Sequence, residues 1–215
     1  GQAAPDKLLE TGKVSIAVSR LLRDQANQLI FERGAGNGRM YYTARLKAYL
    51  PADQAKALNR GMVIARKYEL ADCKPEPGKP CDAITSAAIG QNVRVRLTLV
   101  APTDMYFVRV TDPFPGGAEA VDTSLKTSQQ VGTETTLQEI GGTEGWGWWW
   151  FSHTELRDQN AAMFASYLPA GTYEYTYVLR PSIAGTFKVM PASVEETYFP
   201  ETFGRSDGAA FTITK

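Results

Sequence analysis

His153 is the sole histidine of this 215-residue chain, and Glu155 lies two positions beyond it. A histidine-centred nucleophilic site needs a serine or cysteine in hydrogen-bond reach and an acid to orient the ring. No nucleophile elbow of the form G-x-S-x-G is expected. Two residues apart on a strand, His153 and Glu155 share a face, which predicts an ordinary surface pair. Glu195 and Glu196 are adjacent carboxylates, and in extended backbone such neighbours point to opposite faces, so they make poor partners for acid–base chemistry. Gly34-Ala35-Gly36-Asn37-Gly38 has the look of a phosphate-cradling loop, but that chemistry needs a helix N-terminus behind it. Arg39 to Leu50 alternates with period two instead. A hairpin turn is the expectation there.

Cys73 and Cys81 bracket Lys-Pro-Glu-Pro-Gly-Lys-Pro, a constrained turn able to bring two thiols together. A disulfide is favoured over a metal site, since two cysteines and one histidine fall short of four ligands. Two free, buried thiols are the alternative. A bridge would imply an oxidising compartment. Trp146, Trp148, Trp149 and Trp150 form the most unusual local composition in the chain. Exposed, they would suit carbohydrate or partner binding; packed, alternation would send Trp148 and Trp150 to one face and Trp149 to the other.

The elements that must position these residues are mostly strands. Val14, Ile16 and Val18 alternate with Ser15, Ala17 and Ser19, and Tyr42, Ala44, Leu46, Ala48 and Leu50 with Thr43, Arg45, Lys47 and Tyr49. The pattern returns in Val93, Val95, Leu97 and Leu99, then in Tyr173, Tyr175, Tyr177 and Leu179, with short strands at Phe187/Val189 and Phe211/Ile213. Turn chemistry separates them at Asn37-Gly38, Pro115-Gly116-Gly117, Pro169-Ala170-Gly171, Ala184-Gly185 and Asp207-Gly208. Such an order predicts an antiparallel sandwich. Helix is expected only as a turn or two over Ala52 to Leu58. In Leu156 to Leu168, Leu156, Met163, Phe164, Tyr167 and Leu168 could line one helical face, but a hairpin turning at Asp158-Gln159-Asn160 is favoured, and Asp122 to Gly145 reads as a long surface loop. A boundary is expected between Pro51 and Gly61, giving segments 1–57 and 58–215.

Composition narrows the function. Hydrophobic residues make up 43% of the chain, enough for a sizeable core. Twenty-three basic and 23 acidic residues cancel, so the electrostatic footprint of nucleic-acid binding is missing. No apolar run approaches the roughly 20 residues that span a bilayer. The N-terminal Gly-Gln-Ala-Ala-Pro-Asp-Lys lacks the regions of a signal peptide, so in an exported parent the chain is expected to begin after its signal.

The segments HTELRDQNAAMF, LPAGTYEYTYVLRPSIAGTF, MPASVEETYFPETFGRS and AAFTIT, in that order, resemble the last macroglobulin-like domain of the bacterial alpha-2-macroglobulins. Upstream, VRVRLTLVAPTDMYFVRVTDPFPGGAE resembles paired strands of that domain, and GNGRMYYTARLKAYLP the returning strands of the family's CUB-type domain. Together they cover nearly the whole chain. The resemblance implies an all-β, antiparallel, immunoglobulin-like sandwich over residues 58–215, preceded by a few CUB-type strands. It implies a non-catalytic part of a secreted protease-trapping inhibitor with a role in bacterial defence, exported to the periplasm or exterior, with lipid anchoring through the parent's N-terminus allowed. No cofactor or metal is implied. The implied partners are the thioester and other domains of the parent, and indirectly a captured protease.

The family's thioester motif needs a cysteine followed within three residues by glutamine, whereas Cys73 precedes Lys-Pro-Glu and Cys81 precedes Asp-Ala-Ile. In family members that carry a thioester, this last domain covers it, and the matching residues are Thr197, Tyr198 and Phe199, with Thr197 standing where a larger apolar residue is expected. For Tyr198 a local role, closing one end of the sandwich beside Phe199 and Phe203, is the competing reading. A stand-alone adhesion or carbohydrate-binding module using the tryptophans is the competing function.

Overall fold

The computed structural model describes residues 15–22, 25–37, 39–43, 49, 51–74, 80–121, 136–139 and 153–215, with backbone alone for 136–139. The chain divides into two units, Gly1–Lys47 and Ala48–Lys215.

In the first unit, a 3-10 turn covers Val18–Arg20, with Val18 75% exposed. The strand expected over Val14 to Ser19 is therefore not formed in its described part. Alternation makes a strand only where a neighbouring edge takes its hydrogen bonds, and here Ala17 and Val18 carbonyls accept from Arg20 and Leu21 within the turn. Asn27 closes a loop on Leu22 in both directions, at 2.8 and 2.9 Å, and Phe31 stacks on Tyr42 at 4.2 Å. Most of the alternation expected from Tyr42 to Leu50, and Gly38 of the Asn37-Gly38 turn, lie outside the described residues.

The second unit is built of fourteen described strands: β1 (Leu58–Arg60), β2 (Val63–Leu70), β3 (Ser86–Ala88), β4 (Val93–Ala101), β5 (Met105–Pro113), β6 (Ala118–Ala120), β7 (Thr136–Glu139), β8 (His153–Leu156), β9 (Asn160–Leu168), β10 (Gly171–Pro181), β11 (Gly185–Val189), β12 (Ser193–Glu196), β13 (Phe199–Arg205) and β14 (Ala209–Thr214). One sheet runs β1-β13-β12-β5-β9-β8; a second runs β2-β4-β10-β6, with β7 also paired to β10; β11-β14-β3 form a third. All named pairs are antiparallel except β14 with β3.

Strict alternation along β4 sends Val93, Val95, Leu97 and Leu99 inward while Arg94, Arg96 and Thr98 remain partly exposed. Opposite them, β10 contributes Tyr173, Tyr175, Tyr177 and Leu179, and the first sheet contributes Val108, Val110, Met163, Ala165, Leu168 and Val194 to the same core. This is sheet-on-sheet packing. The only expected helical segment contracts to a 3-10 turn, Ala52–Gln54. That connector is stitched to the β13–β14 turn: Gly208 N–H donates to Ala55 O at 2.8 Å, Ala57 N–H to Asp207 Oδ1 at 3.0 Å and Arg205 Nε to Lys56 O at 2.9 Å. Gly208 is required by close approach, since a Cβ there would stand 1.7 Å from Ala52 O.

The hairpin expected over Leu156 to Leu168 is present as β8 and β9, with Arg157 N–H bonded to Asn160 O across the turn. The surface loop expected over Asp122 to Gly145 is corrected in part, because Thr136–Glu139 is a strand paired with Tyr173–Thr176. Its polar, threonine-rich composition hid it: an edge strand needs backbone partners more than it needs large apolar side chains.

Two polar clusters brace this framework. Between the main sheets, Asp112 of β5 is 0% exposed and accepts from Arg66 Nη1 of β2 at 2.6 Å and from Tyr177 OH of β10 at 2.7 Å. Arg66 also lies over the Tyr68 ring at 5.4 Å. Burial pushes the Asp112 carboxyl above the usual range, with Arg66 and Tyr177 pulling it back. On the other side of the second sheet, Glu69 accepts from Arg96 Nε at 3.1 Å and Nη2 at 3.0 Å, and Lys67 pairs with it at 3.0 Å. Burial would raise Glu69, but these donors hold it below its ordinary value.

Candidate functional site

Strand regularity fails at the start of β5. Buried Met105 and Val108 are separated by two exposed residues, Tyr106 and Phe107, where strict alternation would allow one. The partner strand shows the same spacing, with buried Ala165 and Leu168 flanking exposed Ser166 and Tyr167. Phe107 takes φ 51°, the sole non-glycine in the left-handed region among the described residues. For a bulky side chain that conformation is strained, by about 1–3 kcal/mol. Its ring is 51% exposed, so burial does little to offset the strain.

A second irregularity meets it. β12 slips register against β13 between Glu195 and Glu196, and Glu196 pairs with Phe199, leaving Thr197 and Tyr198 as a two-residue turn. The turn is fixed on β5: Thr197 N–H donates to Phe107 O at 2.9 Å, Glu196 Oε1 accepts from Tyr106 N–H at 2.9 Å, and the Tyr198 ring meets Phe107 edge-on, 5.0 Å away at 87°. Tyr198 is 69% and Phe199 58% exposed. Tyr106 and Tyr167 extend the surface, their rings 5.2 Å apart. Five exposed aromatics thus gather at one end of one sheet, the kind of apolar surface that marks an interaction site.

Carboxylates border it. Asp104 accepts from Tyr167 OH at 2.7 Å and from Ala170 N–H at 2.9 Å, and these bonds lower its pKa. Tyr167, donating to that anion, has its phenol raised. Glu195 pairs instead with Arg109.

The structure thus brings Thr197, Tyr198 and Phe199 together at a hairpin tip, and the burial expected of a residue closing the sandwich is not met at Tyr198. Sequence reasoning missed Phe107, although the break of period two in Met-Tyr-Phe-Val was the available signal. His153 and Glu155 form the expected surface pair, with Nε2 at 2.8 Å from Oε1, and Arg157 Nε donates to the other carboxylate oxygen at 2.6 Å. Trp146, Trp148, Trp149 and Trp150 lie outside the described residues.

One expectation is corrected. The spacing G-x-S-x-G does occur, at Gly204-Arg205-Ser206-Asp207-Gly208. It lies at the β13–β14 turn, not between a strand and a helix, and Ser206 is buried, its Oγ accepting from Ala192 N–H at 3.0 Å and donating to Asp207 O at 2.9 Å. A nucleophile elbow needs its hydroxyl exposed above a sheet; this serine is a backbone clamp. The cavity between the sheets, lined by Ile64, Leu97, Val110 and Met163 among others, holds about 10 Å³, room for no more than a water.

Cys73 and Cys81 are joined, with Cα atoms 6.0 Å apart. Arg94 donates to the Cys73 carbonyl at 2.9 Å and Lys67 to that of Cys81. Both sulfurs are committed.

Residues 61–201 match the family described as bacterial alpha-2-macroglobulin MG10 domain. The chain is 26% identical over 198 residues to an alpha-2-macroglobulin homolog of Nostoc, covering 90% of this chain and 10% of that protein. It is 27% identical over 185 residues to circularly permutated Ras protein 2 of Dictyostelium discoideum, covering 83% of this chain and 4% of that one. It therefore spans a tenth or less of the length of these curated relatives. The same fold occurs in Escherichia coli alpha-2-macroglobulin activated by porcine elastase, with a TM-score of 0.59 and 20% identity over 74% of this chain and 14% of that one.

Proposed function

The chain belongs to the bacterial alpha-2-macroglobulin family through its MG10 domain, and from that premise we propose that its aromatic end docks on the thioester domain of a larger parent and shields the thioester. The observation that carries this is the exposure of Tyr198 and Phe199 at a hairpin tip that is otherwise well fixed. A tyrosine offered on an ordered turn can cover a neighbouring domain's reactive centre, exclude water and pack against apolar surroundings. The chain supplies no free thiol for a thioester of its own: its two cysteines are bridged.

In this reading residues 1–57 are the end of a CUB-type domain and 58–215 the last macroglobulin-like domain. The parent is an exported, non-enzymatic, broad-range protease trap, periplasmic or extracellular, and its other domains are the partners of this one. The disulfide is consistent with export. Among the described residues no helix is long and apolar enough to cross a membrane.

Tyr198→Ala separates docking from packing. It should leave the melting temperature of this chain nearly unchanged, because little of the ring is buried, and in a thioester-bearing parent it should hasten spontaneous loss of amine reactivity. A strongly destabilised chain, or a parent with an unaltered thioester lifetime, would refute the role.

A further inference from the structure

We infer that Phe107 is the positioning residue of this site, holding the Tyr198 ring in the direction in which it is presented; the inference rests on the docking reading of Tyr198. Two contacts tie it to the turn, and a third ties its neighbour. Its carbonyl accepts the Thr197 N–H, its ring meets the Tyr198 ring edge-on, and its neighbour Tyr106 is tied by its own N–H to Glu196 at the other side of the turn. Tyr198 itself is too exposed to be oriented by burial. An edge-to-face contact fixes a ring in both distance and tilt, and the residue that makes it must then be fixed in turn. Phe107 is fixed by its backbone.

The left-handed conformation is what makes this possible. In a regular strand, Phe107 would face opposite to Tyr106 and Val108 and could not expose its ring beside Tyr106 while Met105 and Val108 stay buried. A positive φ at this position turns the ring towards the β12–β13 tip. Strain at a residue left half exposed, located where an exposed tyrosine needs a support, is the arrangement expected of a functional constraint.

The test uses the 215-residue chain, with Phe107→Gly and Phe107→Tyr. Glycine enters the left-handed region freely, so it keeps the kink and removes the ring; tyrosine keeps the ring. Phe107→Asn, which also tolerates that region, repeats the test should glycine loosen the strand. In the unsubstituted chain and in Phe107→Tyr, Tyr198 should show one large and one small α–β proton coupling and ring-current-shifted aromatic protons. In Phe107→Gly and Phe107→Asn the couplings should become equal and the shifts vanish, with the melting temperature close to that of the unsubstituted chain. Couplings already equal in the unsubstituted chain, or unequal ones that persist in both ring-deleted variants, would overturn the inference.

A second arm in a thioester-bearing parent separates the two readings. Phe107→Gly should shorten the lifetime of amine reactivity in the same direction as Tyr198→Ala, and the double substitution should add nothing to Tyr198→Ala alone. If Tyr198→Ala shortens the lifetime and Phe107→Gly does not, positioning by Phe107 is refuted while docking stands. If Tyr198→Ala has no effect, docking is refuted, and the couplings still decide whether Phe107 orients the ring.

Discussion

Replacing Arg66 with methionine removes one partner of a charge pair that lies between the two main sheets, where Asp112 has no exposed surface and the Arg66 side chain only 2%. Methionine fills most of the volume, so the loss is electrostatic. The carboxyl would keep a single donor, Tyr177 OH at 2.7 Å. Burial already pushes Asp112 upward, and without Arg66 its main opposing influence is gone, so it should rise further and stay neutral. An aspartate in the unfolded chain ionises near pH 3.9, so keeping one protonated at about pH 7 costs roughly 1.4 kcal/mol for each of about three units; about 4 kcal/mol is thus the ceiling on the penalty, because burial already raises the same carboxyl in the unsubstituted chain. Direct measurements on broken buried pairs fall in the same range, about 3–5 kcal/mol. For a domain of this size that is a drop in melting temperature of about 8–16 °C. The sign of the pH dependence is fixed by the raised pKa: the stability from the protonated carboxyl is fully present below the unfolded value and is lost as pH rises through the folded value. Urea unfolding followed by circular dichroism should therefore show a penalty for Arg66→Met that is large at about pH 7 and much smaller at about pH 4. A penalty below about 1 kcal/mol at neutral pH, or one that does not change with pH, would refute the reasoning.

Glu69 gives the opposite pH dependence: held below its ordinary value by Arg96 and Lys67, it stabilises above the unfolded pKa and loses that contribution as pH falls through the folded one, so Glu69→Gln should flatten the acid limb of stability against pH. Cys73→Ser with Cys81→Ser should cost about 2–3 kcal/mol by loop-closure entropy, read as a lower urea midpoint. Phe211→Ala, at a ring 1% exposed and packed on Tyr68 at 5.0 Å, should cost about 3–5 kcal/mol, in contrast to the near-neutral Tyr198→Ala; equal melting temperatures for the two variants would remove the distinction between core and docking aromatics.

Long strands buried on one face were legible in the sequence because side-chain alternation is the direct image of burial. β4 carries it over nine residues, and in β10 it runs through Tyr173, Tyr175, Tyr177 and Leu179, although Thr176 and Val178 between them are buried as well; the turn at Asp158-Gln159-Asn160 is where a hairpin had to reverse. The same signal misled at Val14 to Ser19, where period two is present and no paired edge accompanies the described residues. It was silent at β7, whose four residues are specified by backbone pairing to β10. Arg66 and Asp112 were invisible for another reason. They lie 46 positions apart, and each sits in a strand where a charged residue reads as the solvent face; only the packing of two sheets puts them together. Tyr198 was equally undecidable, since Tyr beside Phe fits a core end and a docking tip alike. Its exposure follows from a register slip in one hairpin, which has no pattern in the sequence, and from a left-handed residue in the neighbouring strand, whose one trace is the break of period two in Met-Tyr-Phe-Val.

β5 carries both the deepest charge pair and the most exposed aromatic support, Asp112 and Phe107 standing five residues apart on one strand. That placement bears on how a docking surface can be made from exposed rings at all. Exposed aromatic side chains ordinarily lose rotamer freedom when a partner covers them, a cost of about 0.5–1.5 kcal/mol for each side chain immobilised. Here the freedom is restricted beforehand: Asp112 locks one end of β5 between the sheets, β9 and β12 flank it in continuous register, and the kink at Phe107 sets the ring against which Tyr198 leans. The strain at Phe107 is thus borne by a strand anchored firmly enough to sustain it. A surface prepared in this way meets its partner with less ordering left to do, so rigidity in the core and presentation at the tip are two consequences of the same strand.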